Sequence, residues 1–534
     1  MQSVNIIGAG LAGLSTAITL AEQNVSCRLI SLQPSERAQS VLAEGGINAS
    51  LNTMGEEDTT EYHFQDTMKG GVYLADPNAV DALTKGAPQI LQWLEGLGVP
   101  FHKKNGVIML RNFGGQKKKR TAYAKSSTGK ILMTALIDEA RKFESAGLIR
   151  RFPHHEFLRL LMNEGICAGV RVRDRYTGQI WDFSGKVLLC SGGMNGIFPH
   201  MTTGTTQNSG DVTATVFSQG ALLGNLEMLQ YHPTTIGISG KRCLVTEAAR
   251  GEGGRLYIMR DNQKWYFMEE KYPELGNLMP RDVVAREMYF VRRKYGGSVY
   301  LDMTGLSKET WEQKLSDLRD EIIQYLAIDP KTEPIPVKEG IHYFMGGIDT
   351  DEFHCTNIPN LYASGECTCQ YHGANRLGGN SMLGALFGGR KSAQTILQDV
   401  QDVSSDFPTE SLVRENEPYT EEASPILIES ISQILLEGLG IVRNAEQLTQ
   451  SLKKLKSLSQ ERSYNLREQN RLKLAEAMLL SALERRESRG AHYREDFPEK
   501  DESFRKVTIA CRKEEQISIT FRNLPERRSS CKSP

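Results

Sequence analysis

The most constraining feature of this chain is a glycine triplet, Gly8, Gly10 and Gly13, set between the apolar run Val4-Asn5-Ile6-Ile7 and a segment with helical spacing from Leu14 to Glu22. A second apolar run, Val25 to Ile30, follows, so the pattern reads strand, helix, strand. In such a unit the first glycine permits a tight turn and the second lets a pyrophosphate approach the backbone. The third lets helix and strand pack closely, with the phosphate at the positive helix end. The expectation is an α/β fold of the Rossmann type that binds a dinucleotide. One part of the usual pattern is missing, because Ser31 stands where a ribose-binding carboxylate is expected.

The 534 residues, 39% of them hydrophobic, suffice for two or three domains. A formal net charge of -1 provides no overall field for nucleic acid or an anionic membrane, so any anion has to be recognised in a pocket. The nine cysteines lack paired C-x-x-C spacing, which argues against a disulfide framework and against a zinc or iron–sulfur site. No apolar run approaches the roughly 18 residues a membrane span requires. Met1-Gln2-Ser3-Val4-Asn5 also lacks the basic start of a signal peptide, so a soluble cytoplasmic protein without metal is expected.

Further along, the segment from Arg37 to Ala49 turns on Gly45 and Gly46; it either passes under a flat ring system or is a simple turn. Val187-Leu188-Leu189-Cys190-Ser191-Gly192-Gly193 reads as a buried strand ending in a second close approach to a cofactor. Asp211, before a helix-like segment, is a cap or a cofactor acceptor. From Tyr231 to His342 the alternation of strand and helix gives way to mixed segments, as in an inserted domain. Its edges carry His232, Thr246, Glu247, Arg250, Arg281 and His342 in glycine- or proline-bounded turns. Leu361 to Glu366 returns to the strand-then-glycine style. It leads into Tyr371 to Leu383, where His372 and Arg376 could hold an anion and the Asn380-Ser381 amides open a helix towards a cofactor.

The expected division is 1–230 and 344–402 for the nucleotide-binding fold, 231–343 for the insertion, 403–425 for a surface linker, and 426–534 for a helical domain with a tail. Arg485-Arg486-Glu487-Ser488-Arg489 reads as a solvated helix end, and Val507 to Cys511 with Ile517 to Arg522 as a hairpin.

Taken in order, these motifs resemble the flavoprotein subunit of fumarate reductase and succinate dehydrogenase, and more distantly L-aspartate oxidase. The likeness includes Ala43-Glu44-Gly45-Gly46, Phe113-Gly114-Gly115, Tyr231-His232-Pro233-Thr234, Thr246-Glu247 with Arg250-Gly251-Glu252, and Pro280-Arg281-Asp282. It continues through His342-Tyr343, His372 to Leu377 and Arg486 to His492. The resemblance implies FAD, an α+β capping domain over the flavin and a C4 dicarboxylate between them. It assigns cofactor contacts to Gly8, Gly10, Gly13, Ser31, Gln39, Ser40, Ala43, Gly45, Gly46, Gly192, Gly193, Asp211, Glu366, Asn380, Ser381 and Leu383. Substrate contacts fall to Phe113, Gly114, His232, Thr246, His342 and Arg376, proton transfer to Arg281 with Glu247 and Arg250 as its relay, and His232 also counts as catalytic.

Two departures refine this reading. Gln39 occupies the position of the family's flavin-linking histidine, so FAD is expected without a covalent bond, with a lower potential that favours fumarate reduction. Arg111-Asn112-Phe113-Gly114-Gly115-Gln116 has no carboxylate to receive a substrate amine, which favours fumarate over aspartate. The alternatives are an L-aspartate oxidase and a non-catalytic flavin-binding module. Electrons are expected from an iron–sulfur subunit or another carrier, which could seat the protein peripherally on the inner face of a membrane.

Overall fold

In the computed structural model, residues 3–124, 127–399, 409–413, 418 and 421–528 are described. Two-residue alternation along short buried strands builds the core. Val4–Ile7 lies at the centre of a five-stranded parallel sheet with the order Leu361–Ala363, Val187–Leu189, Val4–Ile7, Cys27–Ser31, Ile149–Pro153. Val4, Ile6, Leu29 and Leu188 face one side, where they share a hydrophobic cluster with residues of the helices Leu11–Glu22, Pro77–Gly96, Thr128–Ser145 and Asn380–Gln398. Ile7, Ile30, Val187 and Leu189 face the other, against Phe157, Leu160, Val170 and Phe183. A parallel sheet covered on both faces reads as continuous apolar runs, as these strands do. The third glycine acts as expected, since a Cβ on Gly13 would lie 1.9 Å from the Gly8 carbonyl oxygen.

The second layer is an antiparallel sheet of His155–Asn163, Ile166–Asp174, Ile180–Ser184 and Glu410–Val413. This last strand falls inside the stretch expected to be a linker, and it pairs with Ile180–Ser184 instead. Residues 403–408, 414–417 and 419–420 of that stretch lie outside the described residues. The insertion forms a six-stranded antiparallel sheet in the order Lys241–Leu244, Leu229–Ile238, Ile335–Phe344, Val299–Asp302, Arg255–Arg260, Gln263–Trp265. The helix Arg281–Tyr295 contributes Val284 and Met288 to its core, and Phe113 enters that core from the first half of the chain.

Three helices, Pro425–Gly438, Ala445–Leu458 and Leu466–Glu484, form the C-terminal part. The third opens on a capping box in which Asn465 accepts from the Glu468 N–H at 2.9 Å and Glu468 accepts from the Asn465 N–H at 3.2 Å. Leu435, Leu448, Leu472 and Met478 belong to the same cluster as Ile7 and Phe217, so these helices complete the core of the nucleotide fold. The expected hairpin exists as Lys506–Lys513 with Gln516–Asn523, and Leu223–Gly224 joins it to the body through Ala510.

The run Arg485 to Arg489 is not a solvated helix end. The helix stops at Glu484, and Arg485, Glu487 and Arg489 are all buried, with only Arg486 exposed. Every N–H of Arg485 has a partner: Glu227 Oε1 at 2.6 Å, Glu487 Oε1 at 2.9 Å, the carbonyls of Phe504 and Lys506 at 2.8 and 2.7 Å, and Thr508 Oγ1 at 2.6 Å. Local charge suggested solvent, but carboxylates and carbonyls distant in sequence provide the compensation.

Removing one partner of such a buried, fully bonded pair costs about 3–5 kcal/mol, whereas a surface change stays within roughly 0.5 kcal/mol. Arg485→Ala should therefore shift the urea midpoint strongly, while Arg486→Ala next to it should leave it nearly unmoved. Equal shifts would mean that the burial of Arg485 contributes nothing specific.

Candidate active site between the parallel sheet and the cap

The carboxyl ends of the parallel strands open into a cavity of about 400 Å³, within the range of small-ligand sites. One end is lined by Gly8, Gly10, Ser31, Gln39, Ser40, Ala43, Gly45, Gly46, Gly192, Gly193, Asp211, Glu366 and Ser381, all expected cofactor contacts. The other is lined by Phe113, His232, Thr246, Glu247, Arg281, His342 and Arg376. Residues from both halves of the chain thus meet in one elongated cleft. Beside it a buried polar atom of Asn208, Nδ2, lacks a hydrogen-bond partner among the described residues.

Some expected residues do not reach the cleft. Gly13 serves packing, and Leu383 lies in the core. The Asn380 side chain instead bonds Asn48 Nδ2 at 2.8 Å, His63 Nε2 at 3.0 Å and Thr67 Oγ1 at 2.9 Å, supporting the turn before its helix. His372 packs edge-on against Tyr343, and burial pushes its pKa down to about 3, so it is no cationic anion ligand. Thr246 does line the cleft while also capping the helix Glu247–Gly251, accepting from the Ala248 N–H, whereas Gly114 and Arg250 lie behind the lining, against Glu247.

The charged centre is built on Glu247, in the first turn of that short helix. Arg281, at the first position of its helix, donates to Glu247 Oε2 through Nε at 2.9 Å and Nη2 at 2.5 Å. The Gly114 N–H donates to Glu247 Oε1 at 3.1 Å, and Arg250 Nη2 lies 3.6 Å from the same oxygen. Burial works against the Glu247 carboxylate, but Arg281 and Arg250 outweigh it and hold its pKa below the ordinary value. Arg250 Nη1 donates to the Asn277 carbonyl at 2.6 Å, while its Nε and Nη2 find no hydrogen-bond partner among the described residues.

Gln230 was not singled out from the sequence, yet it ties the centre together. Its Oε1 accepts from Arg281 Nη1 at 3.1 Å, and its Nε2 donates to Asn375 Oδ1 at 2.9 Å and the Arg376 carbonyl at 3.0 Å. Its place two residues before His232 in a strand was the available signal, given a side-chain period of two. Arg376 lies over the Tyr343 ring at 4.5 Å, and its Nε has no partner among the described residues. Thr203, also missed, meets His342 Nδ1 at 2.8 Å. His232 and His342 lie edge to face at 5.1 Å. Burial, with Arg281 next, pushes both imidazoles well below their usual pKa, so both are neutral.

Gln39, in the cofactor half, accepts from the Thr205 N–H at 2.5 Å. Arg111 stacks on Tyr123 and Phe113, with ring-centroid distances of 4.3 and 5.2 Å, and donates to the Gly45 carbonyl.

Known proteins resemble the chain over nearly its whole length. A family model described as an FAD binding domain matches residues 3–382, and one described as fumarate reductase flavoprotein C-term matches residues 460–531. The chain is 35% identical to the succinate dehydrogenase flavoprotein subunit of Bacillus subtilis, covering 95% of this chain and 94% of that one. It is 33% identical to the fumarate reductase flavoprotein subunit of Mycobacterium tuberculosis, covering 94% and 93%. A solved quinol-fumarate reductase with menaquinol molecules matches with a TM-score of 0.87 at 29% identity, covering 98% of each chain.

Glu366 offers a test of the cleft's electrostatics. Burial raises its pKa from 4.5 to about 7, against the Phe344 N–H and Arg376, which lower it. Between those values the folded, flavin-free protein keeps a proton that the unfolded chain has lost, so this group makes stability fall as pH rises through that window. In urea titrations of flavin-free protein, Glu366→Gln should lose less stability than the wild type between pH 5 and 7. Identical losses would show that the carboxyl is already ionised at pH 5.

Proposed function

The chain belongs to the fumarate reductase and succinate dehydrogenase flavoprotein family and is an FAD-dependent oxidoreductase, and within that family we propose that it interconverts fumarate and succinate. The observation that carries this reading is the charge of the substrate end. Arg281 and Arg376 line it, and Arg250 is buried 3.6 Å from Glu247. Against these three guanidiniums stand the Glu247 carboxylate and Glu366, whose pKa burial raises to about 7, so positive charge is left in excess for an anionic substrate to match. Buried guanidiniums without counter-charge cost several kcal/mol. Consistent with that cost, burial lowers the pKa of Arg376 to about 9 and of Arg250 to about 10.

Arg376, supported by Tyr343 and the Gln230 amide, holds one carboxylate in a charge-assisted fork. Neutral His232 and His342, with Thr246, receive the other end. Bound FAD, held by the Gly8–Gly10 turn and the Gly45-Gly46 and Gly192-Gly193 segments, would supply hydride-transferring chemistry at its N5. The proton for the adjacent carbon passes through Arg281, whose Nη2 already shares a hydrogen bond with Glu247. Free arginine is too weak an acid to release a proton unaided. Here the Glu247 carboxylate takes a proton relayed by Arg250, 3.6 Å away, and hands it to Arg281 to replace the one given up, a positioned transfer worth roughly 10²–10⁴ in rate.

FAD is held without a covalent bond, since Gln39 stands at the linking position and its amide is engaged by Thr205. This lowers the flavin potential and favours fumarate as the electron acceptor. Electrons come from an iron–sulfur partner or a free reduced carrier, and the similarity to chains named as flavoprotein subunits supports the partner. Among the described residues no helix is long and apolar enough to cross a membrane, so any membrane contact runs through that partner.

Chemically reduced protein should be reoxidised rapidly by fumarate, and oxidised protein should bind succinate yet leave L-aspartate unoxidised. The physical reason is that Glu247 is already engaged by Arg281 and Gly114, and the segment from Arg111 to Gln116 has no carboxylate, so an ammonium would be left desolvated. Bleaching of the flavin by L-aspartate, with peroxide formed in air, would make this an aspartate oxidase. Arg281→Lys should nearly abolish turnover while dicarboxylate binding stays measurable, because lysine keeps the charge but not the fork to Glu247; unchanged turnover would take Arg281 out of the mechanism. Acid denaturation should release all FAD into the supernatant, and flavin fluorescence left on the polypeptide in a denaturing gel would contradict the non-covalent reading.

A further inference from the structure

The cleft continues past the phosphate turn into a charged end that the glycine pattern does not specify. Ser31 closes the second strand without a carboxylate, and its Oγ donates to the Gln33 carbonyl at 2.7 Å. Other carboxylates line the cleft at this end: Asp211, in the first turn of the helix Asp211–Ser218, Glu156, in the strand His155–Asn163, and the more exposed Glu422, which lies 3.4 Å from Arg467 Nη1. Asp211 and Glu156 are held by guanidiniums one turn apart on the C-terminal helix Leu466–Glu484, which also line the cleft. Arg471 grips Asp211 with two bonds, Nε to Oδ1 at 2.5 Å and Nη2 to Oδ2 at 2.8 Å. Arg467 donates to Glu156 Oε1 at 2.5 Å and stands 3.6 Å from Asp211 Oδ2.

Those two arginines do two things at once. A carboxylate has about four lone-pair sites, so a fork that takes two of them leaves others free to accept a hydroxyl, with the carboxylate fixed in orientation. They also neutralise carboxylates that would otherwise repel the pyrophosphate at the Gly8–Gly10 turn. We propose that Arg471, assisted by Arg467, is a positioning residue that presents Asp211 as the ribose-hydroxyl acceptor absent from the second strand. Docking of the C-terminal helix then sets the affinity for the adenosine half of FAD. Asp211 and Arg471 are 260 residues apart, so the nucleotide end of the cofactor site is completed only when the last helix packs.

The test is flavin binding to the full chain stripped of its cofactor, titrated with FAD and with FMN, which lacks the adenosine half. Losing one charge-assisted arrangement should raise the FAD Kd about tenfold in Arg471→Ala and leave the FMN Kd unchanged. Arg471→Lys should recover part of the loss. If Arg471→Ala does not fold, Asp211→Asn keeps the side-chain shape, removes the ionic grip and should show the same loss of selectivity. An equal rise in both Kd values would reduce Arg471 to a general structural role and overturn the proposal, as would no change in either. The assay reads flavin binding alone, so its result stands whether or not fumarate is the substrate.

Discussion

The Glu247 carboxylate is the interaction on which the rest of the site depends, because it brings three segments into one electrostatic unit. Arg281 from the long helix of the cap, the Gly114 N–H from the first half of the nucleotide fold, and Arg250 from Glu247's own short helix all converge on it. A single buried carboxylate facing several guanidiniums is a costly arrangement unless an anion completes it. The same imbalance is the basis of the proposed preference for a doubly charged acid. Burial keeps both imidazoles neutral, and repulsion from Arg281 reinforces it.

Gln230 extends this unit to the floor of the cleft. By accepting from Arg281 and donating to the Arg376 carbonyl, one amide fixes the distance between the proposed proton donor and the loop that carries Arg376. The loop is in turn supported from behind. Ala491 donates its N–H to the Ala374 carbonyl at 2.9 Å, and Gly490, at φ 55, approaches so closely that a Cβ there would lie 2.5 Å from the same oxygen. The segment that carries Gly490 is anchored by Arg485 and Arg489, whose guanidiniums share Glu487. The buried charges near the C-terminus are therefore connected mechanically, through two residues, to Arg376.

The C-terminal part reaches the nucleotide end of the cleft directly, through Arg467 and Arg471 of its last helix, and braces the substrate loop from behind through Gly490 and Ala491, which follow that helix. A chain of this length usually divides into units with separate cores, yet Met478 and Leu472 share one cluster with Ile7 of the first strand. Cofactor site, substrate loop and last helix are accordingly parts of one packing problem, with the cap, centred on its own cluster, laid over it.

Local pattern alone determined the nucleotide fold. The glycine triplet between apolar runs, the strands ending at Cys190 and Ser364, and the tail hairpin were all legible, because a backbone turn or a two-residue period is written in neighbouring residues. Which polar residues line the substrate end was also legible, since His232, Glu247, Arg281, His342 and Arg376 stand near the edges of the insertion and beyond it, although His232 and His342 lie in strands and Glu247 and Arg281 open helices rather than occupying turns. What the tertiary structure alone decided was the fate of each charge. Arg485 and its neighbours read as solvated until Glu227, 258 residues away, supplied a partner. His372 read as an anion ligand until packing against Tyr343 turned it from the cleft, and Glu410–Val413 read as linker until Ile180–Ser184 offered an edge to pair with. Sequence reports whether a residue can be buried or charged; whether burial is compensated depends on groups that only the folded chain brings within hydrogen-bonding distance.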